Sequence, residues 1–305
     1  MNIPKLSGLI AAPFTPFKSD GSLQLDTIEA QARSLVANGV RAVFVCGTTG
    51  ECASLTVPER MQIAAHWRDV AGDDLQVLVH AGHTCLSDAK TLAAHAREIG
   101  AAGVGCFAPF FFKPTRTEDL VAYCAQVAAA APDLPFYYYL IPSMTGVSLP
   151  AADFLRTGAS HIPNLAGVKF THENLMDFAE CLRLDDGRFD ALFGRDEILL
   201  AGLSLGARGA IGSTYNFMAP VYHRILEAFE RGDLAGAQLH QARANAVISV
   251  FLKWGGLTAG KAIMQILGLD CGPARLPLRT LDTRQMDGLQ KDLEAAAFFK
   301  IRSAL

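Results

Sequence analysis

Lys169 is the residue of this chain whose setting most directly invites chemistry. Of nine lysines it alone closes a short apolar, strand-like run, Asn164-Leu-Ala-Gly-Val-Lys-Phe-Thr171. The other eight fall in loops, amphipathic stretches or near the termini. An ammonium among apolar neighbours loses hydration, so its neutral amine becomes easier to reach. A neutral amine can add to a ketone carbonyl and form a Schiff base. The competing reading is a buried lysine held by a carboxylate for structural reasons. An ordinary lysine has a pKa of about 10.4, so on the order of one in a few thousand is neutral at pH 7. Lowering it by ~3 units takes about 4 kcal/mol of differential solvation, which a buried site can supply.

Other polar residues cluster at the ends of similar runs. Gly47-Thr48-Thr49-Gly50-Glu51 sets two hydroxyls and free backbone N–H groups between glycines, a small nest for a carboxylate or a plain glycine turn. In Tyr137-Tyr138-Tyr139, strand alternation sends Tyr137 and Tyr139 to one side and Tyr138 to the other. A tyrosine beside Lys169 can pass protons, and an aromatic packing cluster is the alternative. Gly194-Arg195-Asp196-Glu197 offers adjacent carboxylates for capping a helix or for binding a polyol. Gly212-Ser213-Thr214-Tyr215-Asn216 adds hydroxyl and amide groups, and only Arg195 and Arg208 bring positive charge nearby, so no phosphate pocket is expected. His80-Ala-Gly-His83 has no third ligand beside it, so no metal site is expected. No phosphate loop or dinucleotide fingerprint is present.

These residues need elements to hold them. Eight short runs rich in Val, Ile, Phe and Gly, at 8–14, 41–47, 76–82, 103–109, 135–141, 165–170, 191–194 and 206–212, alternate with stretches of helical period. Those stretches lie at 25–38, 58–71, 88–100, 117–131, 150–158, 175–183, 197–205 and 219–231. Thr56, Pro58 and Glu59 form a capping-box pattern, and Asn38-Gly39 and Gly100 are helix stops. Runs that are apolar throughout, without strict alternation, indicate strands buried on both faces. Eight strand–helix repeats fit a closed (β/α)8 TIM barrel better than an open sheet, with chemistry at the carboxyl ends of the strands. From about residue 232 the pattern is helical only (234–254, 258–267, 282–304), with a Pro-containing connector at 271–281. The expected organisation is a barrel over 1–231 and a three-helix extension over 232–305 packed on it as one structural unit.

The chain has 305 residues, 50 % hydrophobic and 19 % charged, with formal net charge −3. That balance is globular and lacks the basic face that nucleic acid or anionic membrane would need. Neither a signal peptide at 1–5 nor a membrane-spanning run is apparent. Seven scattered cysteines with no Cys-x-x-Cys pair suggest a reducing compartment, and a cytoplasmic location is expected.

With these residues in view, the chain resembles, over nearly its whole length, the dihydrodipicolinate synthase / N-acetylneuraminate lyase superfamily of class I aldolases. The resemblance is carried by Gly47-Thr-Thr-Gly-Glu51, Tyr139-x-x-Pro142 with Thr145-Gly146, and Gly167-Val-Lys169. Within it, 137–147, Lys169-Phe-Thr171, Gly194-Arg-Asp-Glu197 and Gly212-Ser-Thr-Tyr-Asn216 resemble the branch that cleaves sialic acid. The synthase branch would place an arginine at Met144 to hold a second carboxylate, which methionine cannot do. The resemblance implies reversible cleavage of N-acetylneuraminate to N-acetylmannosamine and pyruvate, without cofactor or metal. It implies Lys169 as Schiff-base former, Thr48 and Thr49 as carboxylate holders and Tyr139 as proton relay. It places Thr171, Gly194, Asp196, Glu197 and Ser213 along the polyol. It also implies a homotetramer. Many members carry a tyrosine after strand four that completes a relay across a subunit interface. Here Pro109-Phe-Phe-Phe-Lys113 has no hydroxyl, and the phenylalanines read instead as an apolar subunit contact.

Overall fold

The computed structural model describes residues 5–304, so the amino-terminal reading at 1–4 and the last residue lie outside it. Eight parallel strands close on themselves in chain order: β1 (Gly8–Ala11), β2 (Ala42–Val45), β3 (Gln76–His80), β4 (Gly103–Phe107), β5 (Phe136–Leu140), β6 (Leu165–Phe170), β7 (Asp190–Phe193) and β8 (Gly209–Gly212). Closure comes from β1 against β8, in register from Gly8↔Gly209 to Ala11↔Gly212. The barrel is wrapped by α1 (Thr27–Ala37), α2 (Val57–Ala71), α3 (Leu86–Glu98), α4 (Thr117–Ala128), the single turn α5 (Pro142–Thr145), α6 (Ala151–Gly158), α7 (Leu175–Gly187), α8 (Leu199–Leu205) and α9 (Tyr215–Glu230). The expected TIM barrel is therefore present.

The extension consists of α10 (Leu234–Lys253), α11 (Leu257–Ile266) and α12 (Thr283–Ala295). The sequence pattern carried the last helix to residue 304, but it ends at Ala295, and a 3-10 turn follows at Phe298–Lys300. Ala297 takes the left-handed conformation there and breaks the helix. The helix expected from residue 219 begins earlier, at Tyr215, and bends at Met218 ahead of Pro220. The Ala219 N–H freed by the bend donates to Ser303 Oγ at 3.2 Å, which pins the chain end to the barrel. Among the described residues no single helix is long and apolar enough to cross a membrane.

Alternation sorts the core into two clusters. Ile10, Phe44, Leu78, Phe107, Tyr137 and Tyr139 fill the barrel, while Val43, Val45, Val104, Tyr138 and Val168 face the helices. Tyr138 packs on Phe154 of α6, as the alternation predicts. In β6 the alternation is broken: Phe136 pairs with Leu165 but Tyr137 with Gly167, leaving Ala166 as an extra residue. This bulge resets the inward–outward order, so that Val168 and Phe170 face the helices and Lys169 faces the barrel, beside its partner Tyr139. Gly167 permits the close approach, because a Cβ there would stand 1.8 Å from the Asp190 carbonyl oxygen. Thr56 caps α2 through a full capping box with Glu59, as its sequence predicts.

Candidate active site

A cavity of about 190 Å³ opens at the carboxyl ends of the strands. Lys169, Tyr139, Thr48, Thr49, Thr171, Gly194, Asp196, Glu197 and Ser213, named separately from the sequence, all line it. They come from the ends of β2, β5, β6, β7 and β8, which the closed sheet places side by side.

Lys169 is 4 % exposed. Its Nζ lies 4.0 Å from the centroid of the Tyr139 ring and 4.3 Å from that of Phe44, and forms no ion pair among the described residues. Burial drives its pKa down to about 7, against the opposing pull of Asp196 and Cys52. The ring faces of Tyr139 and Phe44 also favour the ammonium. At neutral pH a large share of Lys169 is thus a free amine.

Tyr139 Oη lies 3.3 Å from Thr48 Oγ1. Burial raises the phenol pKa, and the Thr48 hydroxyl only partly offsets this, so Tyr139 stays protonated. In the Gly47–Glu51 turn, the Glu51 N–H donates to Thr48 O and the Cys52 N–H to Gly47 O. The N–H groups of Thr48, Thr49 and Gly50 have no protein acceptor among the described residues. This is a set of unspent donors beside a free amine.

The loop after β7 carries the acids. Asp196 is buried, and its Oδ2 accepts from Thr214 N–H at 3.1 Å and Thr214 Oγ1 at 2.6 Å. Desolvation raises its pKa to about 6, with the Thr214 hydrogen bonds opposing. Gly212 is constrained by this carboxylate, since a Cβ there would lie 2.0 Å from Asp196 Oδ1. Glu197 is half-buried and pairs with Arg195 at 3.0 Å; Arg195 also pairs with Glu173. Thr171 Oγ1 is buried without a partner.

Several contributors were not singled out in the sequence. Ile248, Phe251 and Leu252 of α10 form an apolar side of the cavity. Gln241, on the same helix, donates to Asp196 O at 3.0 Å and accepts from Leu200 N–H at 3.1 Å, which fixes the Asp196 loop. Only the apolar face of α10 signalled its packing, and nothing local pointed to the cavity. His80 and His83 do not converge. His80 Nδ1 lies 2.9 Å from Cys46 O, and His83 Nδ1 lies 3.5 Å from Asp88.

The chain is similar to known proteins over nearly its whole length. The profile of the dihydrodipicolinate synthetase family matches residues 5–296. N-acetylneuraminate lyase of Mus musculus is 45 % identical over 280 residues, covering 90 % of this chain and 88 % of the relative. The solved Proteus mirabilis N-acetylneuraminate lyase superposes with a TM-score of 0.94 at 41 % identity, covering 97 % of this chain and 100 % of that one. N-acetylneuraminate lyase (sialic acid aldolase) from Aliivibrio salmonicida gives 0.94 at 40 % identity, covering 97 % and 98 %.

Proposed function

This chain belongs to the dihydrodipicolinate synthetase family, and from that premise we infer that it is a carbon–carbon lyase cleaving N-acetylneuraminate reversibly to N-acetyl-D-mannosamine and pyruvate. The observation that carries the reading is the unpaired Lys169, its pKa brought down to about 7, facing a nest of free N–H donors in one cavity.

The neutral Lys169 amine adds to C2 of the open-chain 2-oxo acid, and loss of water leaves an iminium. Thr48, Thr49 and the free N–H groups of their turn hold the C1 carboxylate. Loss of the C4 hydroxyl proton lets that oxygen form the aldehyde carbonyl as the C3–C4 bond breaks. The bond's electron pair passes to C3 and into the iminium, giving an enamine. Because Tyr139 rests protonated, it acts as a relay, taking the C4 proton while passing its own on toward the substrate carboxylate or Thr48. Protonation at C3 regenerates an iminium, and water releases pyruvate and the free lysine. Thr171, Gly194, Asp196, Glu197 and Ser213 line the polyol end.

We read the barrel (1–231) and the extension (232–305) as one structural unit, because Gln241 and the apolar face of α10 complete the cavity wall. A homotetramer in the cytoplasm fits two further features. Phe111 and Phe112 are 74 % and 86 % exposed and pack edge-on to each other, and all seven cysteines are unpaired. Light scattering should give the mass of four chains, and Phe111→Asp with Phe112→Asp should give a smaller particle.

The activity is tested by offering N-acetylneuraminate and a panel of other 2-oxo acids and coupling released pyruvate to lactate dehydrogenase. Release from N-acetylneuraminate is expected. Release from another 2-oxo sugar acid alone would reassign the substrate, and an unmodified, inactive protein would point to a sensor.

A further inference from the structure

Behind the cavity wall stands a buried cation without an anion. Arg60 of α2 is 1 % exposed. Its Nη1 donates to Gly82 O at 2.9 Å and its Nη2 to His80 O at 2.5 Å, while Nε has no partner. Among the described residues no carboxylate pairs with it, whereas Lys261 has Glu51 and Arg275 has Glu59. Carbonyl dipoles satisfy hydrogen bonds but leave the net charge unbalanced, and an uncompensated buried charge is costly.

Its position links it to the carboxylate nest. Arg60 Nη2 lies 3.2 Å from His80 Nδ1, which in turn lies 2.9 Å from Cys46 O, the residue that leads into Gly47-Thr48-Thr49. Cys46 holds a positive φ of 55° there, a conformation that needs support from its surroundings. The His80 ring packs edge-on to Tyr139 at 5.8 Å and tilted against Phe44 at 5.7 Å, the two rings that cover Lys169. Burial holds His80 well below the usual histidine range, so this ring adds no charge of its own.

We propose that Arg60 is a positioning residue whose unbalanced charge serves, across His80, as the distant counter-charge of the substrate's C1 carboxylate at the Thr48–Thr49 turn. This rests on the reading of the cavity as a 2-oxo acid site. Two unit charges ~10 Å apart at an effective dielectric of ~20 interact by a factor on the order of ten in binding. The guanidinium therefore biases the site toward 2-oxo acids over neutral ketones without touching either.

The test compares cyanoborohydride trapping of pyruvate with trapping of hydroxyacetone, in which a neutral CH2OH replaces the carboxylate. The ratio of the two rates cancels any change in the titration of the lysine itself. The wild-type protein is expected to prefer pyruvate. Arg60→Met should lower the ratio about tenfold with hydroxyacetone changed by no more than about threefold, and Arg60→Lys should keep most of the preference. An unchanged ratio in folded Arg60→Met overturns the proposal, because a merely structural role slows both ketones together. A series in which neither variant folds assigns Arg60 to the fold and overturns it as well. Failure of the wild-type protein to trap pyruvate refutes the lyase reading itself, a result distinguishable from either.

Discussion

Glu51 Oε1 stands 2.7 Å from Lys261 Nζ, and this buried ion pair joins the turn after β2 to α11 of the extension. Glu51 Oε2 also accepts the Arg275 N–H at 2.9 Å, while the Arg275 side chain grips Glu59 and Ser54 O. The extension thus holds the candidate carboxylate nest from outside. Two lysines are buried among the described residues, and their surroundings sort them: Lys261 has its anion, Lys169 does not.

Lys261→Met leaves the buried Glu51 carboxylate without its paired cation. It should cost about 3–5 kcal/mol in urea unfolding, and adding Glu51→Gln should restore part of the loss. Purely additive losses would show that the pair is not coupled.

Lys169 sets a pH dependence. With its pKa near 7, trapping of pyruvate should rise about tenfold per pH unit below that value and level off above it. The Asp196 carboxylate favours the ammonium, so Asp196→Asn should move the bend in the profile to lower pH. A bend that stays in place or moves upward contradicts the electrostatic account.

The same depressed pKa carries a stability signature. Between pH 7 and the ordinary lysine value of 10.5, the unfolded chain binds a proton at Lys169 that the folded chain lacks, so stability rises with pH across that window. The cost is largest below pH 7, at most about 5 kcal/mol. Lys169→Met should therefore be more stable than the parent at pH 6–7, with the gain fading toward pH 10. Thermal unfolding across pH reads this, and a destabilised variant at pH 6 would contradict it.

Tyr139→Phe removes the hydroxyl of the proposed relay but leaves the amine and the candidate nest. Schiff-base trapping with pyruvate should survive, while cleavage of N-acetylneuraminate should fall about 10²–10⁴-fold. Equal loss of both would place Tyr139 in binding instead.

Much of this was legible in the sequence because it is encoded locally. The apolar run that ends in Lys169, the Tyr137–Tyr139 alternation and the Thr56 capping box each depend on near neighbours. What escaped depends on residues distant along the chain. The bulge at Ala166 arises from the pairing of β5 with β6, and without it strand parity turns Lys169 away from the barrel. Arg60 and Lys261 look like ordinary members of amphipathic helices, and only the packing of α2 and α11 against the barrel buries them. Gln241 reaches Asp196 across 45 residues of chain.

Everything in the mechanism passes through the Lys169 amine, so mapping the adduct tests it most directly. After reduction with cyanoborohydride in the presence of pyruvate, peptide mass analysis should place a single pyruvate-derived group on Lys169, and Lys169→Arg should take up none and release no pyruvate from N-acetylneuraminate. An adduct on Lys261 or any other lysine, or turnover that survives Lys169→Arg, would contradict the account.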